Sequence, residues 1–262
     1  MKAINIFPFL IIIILFSCGR NKYEKKLVGN WYSYSENEKF VLDKDTLSAD
    51  YLHQKVKWFS TKDSLKFNYK GIFNDSIYKV SLKYILNNDT LLITPNNSSN
   101  TEIKFVRANK FLDFLFSKYK VNINLPVNYN VENIEANTKY GIKVFLEINN
   151  DSIISKTQYS KNLMNLNRDL EKHLSFFSTD IDRFKKDYGN IYKDLSDKKI
   201  ENLWIKFNVH FSIFADKKIT IKELRFFYNR LKSIKEISKI YRVYDINESE
   251  FVDFYKLKGV EL

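Results

Sequence analysis

The residues with the most chemical reach in this 262-residue chain are its one cysteine, Cys18, and its three histidines, His53, His173 and His210. The histidines stand far apart and share no ligand spacing with one another or with paired carboxylates, so no metal site and no cofactor is expected from them. His173 falls near the end of an expected helix, where the dipole favours a cation. The carboxylate pairs Asp180 with Asp182 and Glu248 with Glu250 sit in polar, helix-start contexts, which suits caps and solvated surface better than acid/base couples. There is no Gly-x-Ser-x-Gly elbow, phosphate-binding glycine loop or His-Glu-x-x-His, and six glycines leave little to build such loops from. No nucleophile, base or metal constellation can be named, so no catalytic residue is assigned and a non-enzyme is expected.

Cys18 carries a different chemistry. It ends a segment that begins with basic Lys2, continues as an apolar run from Ile4 to Phe16, and places the small residue Ser17 just before the thiol. A helix needs about 20 apolar residues to span a bilayer, so this run has the length of a signal-peptide core. Leu15-Phe16-Ser17-Cys18 resembles the lipobox of bacterial lipoproteins. The resemblance implies removal of residues 1–17 and a diacylglycerol on the Cys18 sulfur, anchoring the chain to a membrane. Each buried methylene contributes about 0.8 kcal/mol, so two or three acyl chains anchor stably. Gly19-Arg20-Asn21-Lys22 lacks the acidic residue that, in the proteins it resembles, retains the product in the inner membrane. The implied location is the outer membrane, facing the periplasm. With Cys18 acylated no thiol remains, so neither a disulfide nor a thiolate site supports the fold.

The formal charge of +12 invites a nucleic-acid reading. The 43 Lys and Arg are instead spread among 31 Asp and Glu, without a long basic block or a base-reading motif, so a solvated basic surface is expected and no nucleic-acid partner. Lipid headgroups and cell-wall polymers are the polyanions such a surface would meet.

The elements that position these residues fall into two domains after a tether over 18–26. Over 27–107, WYSYS, KFVLD, HQKVKWF, LKFNY, IYKVSLKYIL, TLLIT and EIKFVR mix β-branched or aromatic with polar residues near period two, broken by Asn, Asp, Ser and Gly. Seven or more short strands predict a small all-β barrel or sandwich. Leu27-Val28-Gly29-Asn30-Trp31-Tyr32 resembles the Gly-x-Trp start of lipocalin-like domains, and Phe105-Val106-Arg107 stands where that family closes with a basic residue. The resemblance implies that Arg107 packs across Trp31 to plug one barrel end, a structural role for both residues. It marks no ligand-binding residue.

Residues 108–120 predict a linker helix, and 121–262 an α+β domain with helices packed on one face of a small sheet. A hairpin is expected from 142–148 and 152–155 across Asn149-Asn150-Asp151. Tyr159, Leu163, Leu166, Leu170 and Leu174 recur at helical spacing; Ile181, Phe184, Ile191 and Leu195 predict another helix interrupted near Gly189. A strand is expected over 204–216, a capped helix after Thr220-Ile221-Lys222-Glu223, and a last strand over 239–245. This order, with Val121-Asn122-Ile123-Asn124-Leu125-Pro126 before it and Ala215-Asp216 ending its central strand, resembles the periplasmic domain of the ExbD/TolR biopolymer-transport family, apart from an insertion near 175–203. That family couples a buried transmembrane Asp to proton flow, whereas the apolar stretch around Asp113 is far too short to span a membrane. The resemblance therefore implies dimerisation and contact with envelope proteins or cell-wall polymer, without the motor.

The resulting expectation is a membrane-anchored, non-catalytic envelope lipoprotein serving as an interaction or scaffold module. The alternative is a carrier binding a small apolar ligand in the β domain. An enzymatic alternative, a hydrolase acting on envelope polymers, would require a cleft of clustered carboxylates.

Overall fold

In Val56–Ser60 the side chains of Val56, Trp58 and Ser60 are buried while Lys57 and Phe59 are exposed, the alternation of a strand with one face to a core. The same pattern recurs in Lys39–Leu42, where Phe40 and Leu42 turn inward, and in Thr90–Thr94, where Leu91 and Ile93 do. The computed structural model describes residues 20–262 apart from 36–37, 50–51, 53, 72–75, 96–101, 129–137, 190, 192, 246–256 and 258. Cys18, His53, Glu248 and Glu250 lie outside the described residues. The chain divides into two compact units after Phe114.

The first unit is a closed antiparallel barrel of eight strands: β1 (Gly29–Ser33), β2 (Lys39–Leu42), β3 (Thr46–Ala49), β4 (Val56–Ser60), β5 (Ser64–Lys70), β6 (Ile77–Asn87), β7 (Thr90–Thr94) and β8 (Ile103–Arg107). Each strand pairs with the next, and β1 closes on β8 with Trp31 opposite Arg107, so no sheet edge is left exposed. Seven of these strands are legible as runs in the sequence; β3 is not. Its Thr-Leu-Ser-Ala has one strongly apolar residue, and pairing of Ala49 with Phe40 holds it in place.

Residues 22–26, which the sequence suggests are tether, form a helix together with Leu27, α1 (Lys22–Leu27). Asn21 accepts from the N–H groups of Tyr23 and Glu24, and Glu24 reaches back to the Asn21 N–H, a complete capping box. The helix is short enough to be marginal alone; Leu27, fully buried with Trp31 in the barrel core, fixes it there.

The expected linker helix is α2 (Phe111–Tyr119), and the division between the units falls within it. Asp113 is exposed in its first turn. Tyr32, which points out of the barrel, stacks on Phe114 at 5.5 Å between ring centroids and contacts Phe111 at 5.8 Å.

The second unit is α+β around a mixed sheet of order β10-β9-β11-β12-β13. The expected hairpin is β9 (Gly141–Asn149) and β10 (Ser152–Thr157), with Asn150 and Asp151 at positive φ in the turn. β11 (His210–Ala215) lies parallel to β9 and to β12 (Lys239–Val243), and β13 (Gly259–Glu261) adds antiparallel to β12, beyond the strand expected to be last. Helices α3 (Leu166–Ser175), α4 (Ser178–Gly189), α5 (Asp197–Asn208) and α6 (Ile221–Leu231) bury Leu170, Ile181, Trp204 and Leu224 with Val144, Phe211 and Ile213 of the sheet. The opposite face is covered too, against the expectation of helices on one face only. There Phe145 and Phe214 stack at 5.2 Å and meet Tyr119 and Phe116 from the second half of α2.

Three boundaries differ from the sequence reading. The strand expected over 204–216 is helix up to Asn208 and strand only from His210, because Ile200, Trp204 and Ile205 are spaced to bury one helix face. The helix expected from Tyr159 begins at Leu166, after a 3₁₀ turn over Leu163–Asn165 to which Asn162 gives the cap. The helix expected through Leu195 stops at Gly189. Thr220 makes the expected reciprocal capping box with Glu223.

Candidate functional site

The two ends of the barrel are chemically unlike. At one end α1 lies across the opening: the Trp31 indole N–H donates to the Leu27 carbonyl at 2.8 Å. The Arg107 guanidinium sits 4.6 Å over the Trp31 ring and donates to the Lys26 carbonyl, with the Asp89 carboxylate 3.7 Å away. Gly29 permits this closure. Its φ of +144° is one that other residues rarely adopt, and a Cβ there would come within 3.3 Å of the Arg107 side chain. Trp31 and Arg107 are thus paired across β1 and β8 and meet at this end.

Towards the other end the inward side chains do not fill the barrel. A cavity of about 230 Å³ is walled by Phe40, Leu47, Leu65, Phe67, Ile93 and Phe105 among others, with Glu38, Lys39 and Pro95 at its rim. Strand register explains the placement, since Glu38, Lys39 and Pro95 flank the ends of β2 and β7 remote from α1. Among the described residues the inner walls offer carbon and no ionisable group, so the cavity selects for apolar shape rather than for charge.

The second unit gathers its polar groups into buried networks. The Asp169 carboxylate, 3% exposed, accepts from the Thr157 hydroxyl at 2.5 Å and the Ser160 hydroxyl at 2.6 Å. His173 lies between the Tyr140 carbonyl, 3.0 Å from Nε2, and the Tyr159 hydroxyl, 2.8 Å from Nδ1. Because a carbonyl only accepts, Nε2 carries the proton and Nδ1 accepts from Tyr159. Burial pushes the His173 pKa down to about 4, against the helix-end preference for a cation expected from sequence: desolvation outweighs the dipole. Its neighbour His210 is also held down at about 4, chiefly by burial, with Lys143 and Lys239 adding repulsion.

His210 and Ser212 share the sheet face opposite the helices, and both are buried with no hydrogen-bond partner for His210 Nε2 or Ser212 Oγ. Gly141 lets the imidazole lie on β9, since a Cβ there would be 2.7 Å from Nε2. A serine beside a histidine could form a nucleophile and base, but these two do not bond to each other and neither reaches solvent. Asp180 does not pair with Asp182 for acid/base work; it accepts from Lys139 at 3.1 Å and from the Tyr140 hydroxyl at 3.2 Å. Among the described residues no cluster of three or more His, Cys, Asp and Glu could hold a metal, and no helix is long and apolar enough to cross a membrane.

The cavity was not legible in the sequence, because the aromatic and aliphatic residues around it are those a solid core would also use. The His210–Ser212 pair could have been found, since residues two apart on a strand share a face.

Fold and site together define a protein of two units, a closed eight-stranded barrel with an apolar cup and an α+β unit with a buried polar network. No protein-family model, no curated protein and no solved structure matches the chain.

Proposed function

We propose that the chain is a lipid-anchored envelope protein, held at the outer membrane by acylated Cys18 after removal of residues 1–17, whose lipocalin-like barrel binds a small apolar ligand. The observation that carries this is the cavity of about 230 Å³ with apolar walls at the end away from Trp31 and Arg107. Its size bounds the occupant. It falls below the pockets of about 300–1,000 Å³ that enclose drug-sized ligands, and above the apolar cavity of about 150 Å³ that takes up benzene. A small apolar molecule, or the end of a longer chain projecting past Glu38 and Lys39, fits this volume. The lipocalin-like reading is supported by Gly29-x-Trp31 opening β1 and by Arg107 of the last strand lying over Trp31.

A second reading, self-association or docking of an envelope partner through the α+β unit as in the ExbD/TolR resemblance, is favoured by one feature. β10 is the outer strand of its sheet, and its Ile154 is 41% exposed.

Native mass spectrometry of the protein extracted from membranes tests both. A single chain carrying a small-molecule mass supports the carrier, and doubling of the mass supports self-association. An empty single chain overturns both. The anchor is tested separately: the extracted chain should begin at Cys18 with an acyl increment, and Cys18→Ser should leave the membrane fraction.

A further inference from the structure

The plugged end of the barrel carries a groove distinct from the apolar cup. It measures about 850 Å³ and runs between α1 and the turns that join β4 to β5 and β6 to β7; the cations Lys26, Lys62 and Arg107 line it together with the carboxylates Asp63 and Asp89 and the side chain of Ile85. We propose that this groove takes the headgroup of an anionic phospholipid of the membrane that holds the Cys18 acyl chains, so that the barrel stands on its plugged end with its cup turned away from the bilayer. The inference rests on the lipid-anchor reading.

The first argument is chain length. Arg20 is fixed to the plugged end, donating to the Asp43 carbonyl at 2.6 Å with its guanidinium 4.5 Å over the Trp58 ring. Cys18 is two residues earlier, so its Cα lies within about 7 Å of that of Arg20. Lipid attached there leaves the protein at the plugged end and nowhere else.

The second argument is charge. Lys22, Lys25, Lys26 and Lys62 are exposed and have no ion-pair partner among the described residues. The acids beside them are engaged: Glu24 accepts from the N–H groups of Asn21 and Ser60, Asp63 from the hydroxyls of Thr61 and Ser64, and Asp89 faces Arg107. Those hydrogen bonds hold the Asp63 carboxyl below its usual range. The ammonium groups of Lys22, Lys25, Lys26 and Lys62 remain available to phosphate, and basic side chains next to a lipid anchor are attracted to anionic headgroups at the membrane surface.

The third argument is the groove wall. Ile85 is 54% exposed beside Tyr23 and Tyr84, a mixture of aliphatic carbon and phenol that suits the boundary between headgroup and acyl chain.

The test uses the acylated full-length product reconstituted in vesicles of phosphatidylcholine with or without phosphatidylglycerol. Acylation occupies the only native thiol, so Val28→Cys at the plugged end and Gln54→Cys near the cup each accept one fluorescent donor. β6 has eleven residues, so the two ends are roughly 30 Å apart. With acceptors on the lipid headgroups, energy transfer from position 28 should exceed that from position 54 several-fold. The gap should widen with phosphatidylglycerol and shrink in Lys26→Glu/Lys62→Glu, whose surface positions leave the fold intact by circular dichroism. Equal transfer from both positions, or a gap indifferent to phosphatidylglycerol and to charge reversal, overturns the docking. Intact mass separates the two failures: an acylated chain with equal transfer sinks the docking alone, and an unacylated chain sinks the anchor and the docking with it.

Discussion

The Tyr159 hydroxyl donates to Nδ1 of His173 at 2.8 Å while Nε2 of the same ring donates to the Tyr140 carbonyl, so both nitrogens of a 1%-exposed histidine are used in its neutral form. Protonation would turn the Tyr159 contact from acceptor to donor in a site where, among the described residues, no carboxylate bonds to the ring. The expected consequence is acid sensitivity. The folded pKa is near 4 against 6.5 when unfolded, so this stabilisation is complete above about pH 6.5 and is lost as pH falls from there to 4. A shift of that size corresponds to about 3 kcal/mol. Lys143 and His210 face His173, and Lys143 and Lys239 face His210, all in the same sense. Urea midpoints of the second unit should fall steeply between pH 6.5 and 4.5, and His173→Gln/His210→Gln should flatten that dependence. An equally steep fall in the double variant would rule these histidines out as its source.

The Asp216 carboxylate ties two distant stretches together. It accepts from the Asn124 N–H at 3.0 Å and from the Lys218 N–H at 3.0 Å, and is 5% exposed. Asp216→Ala leaves both donors unsatisfied beside a buried strand end, at a cost of about 1–3 kcal/mol per donor. Asp216→Asn, which keeps one acceptor oxygen, should lose less. Chemical denaturation of the three proteins should rank them wild type, Asn, Ala, and an unchanged Ala variant would show that water replaces the carboxylate.

Gly29 and Arg107 make a similar pair in the barrel. Gly29→Ala forces a side chain into φ +144° and against the Arg107 methylenes, so it should destabilise by about 1–3 kcal/mol. Arg107→Ala should cost about 1 kcal/mol through the lost contact with Trp31 and should relieve part of the Gly29→Ala penalty in the double variant. Additive losses in thermal melts would mean that backbone strain alone explains the glycine.

Period-two and helical patterns made most elements legible, and the reasons for the exceptions are physical. Residues 39–42 and 90–94 alternate because the barrel has one wet face; β3 lacks that alternation because Ser48 faces outward yet is buried, so it is held by its neighbours. Trp204 to Phe207 read as strand because aromatic and β-branched residues favour sheets, but Ile200 four residues earlier completes a helical stripe that short windows miss. Trp31 and Arg107 could be paired from sequence only through the resemblance to lipocalin-like domains, which implies that the closing basic residue packs across the tryptophan. The cup could not, because a cavity is a difference between enclosed volume and side-chain volume, and a list of residues contains only the second. The histidine network was hidden for a related reason: His173 and His210 are 37 positions apart and become neighbours only through the start of β9.

The cup can be tested by adding volume. In a filled core, enlarging a side chain costs about 1–3 kcal/mol; beside a cavity the same change gains contacts. Leu82 lines the cup, whereas Leu91 is fully buried in the barrel core and does not line it. Leu82→Phe should therefore leave the melting temperature unchanged or raise it, and Leu91→Phe should lower it. If the cup is the ligand site, Leu82→Phe should also weaken uptake of a small apolar fluorophore by about tenfold or more, since the occupant and the new ring compete for one volume. A variant that stays stable and still takes up the fluorophore unchanged would move the ligand elsewhere. A destabilised Leu82→Phe would instead mean that the barrel closes over this space in solution.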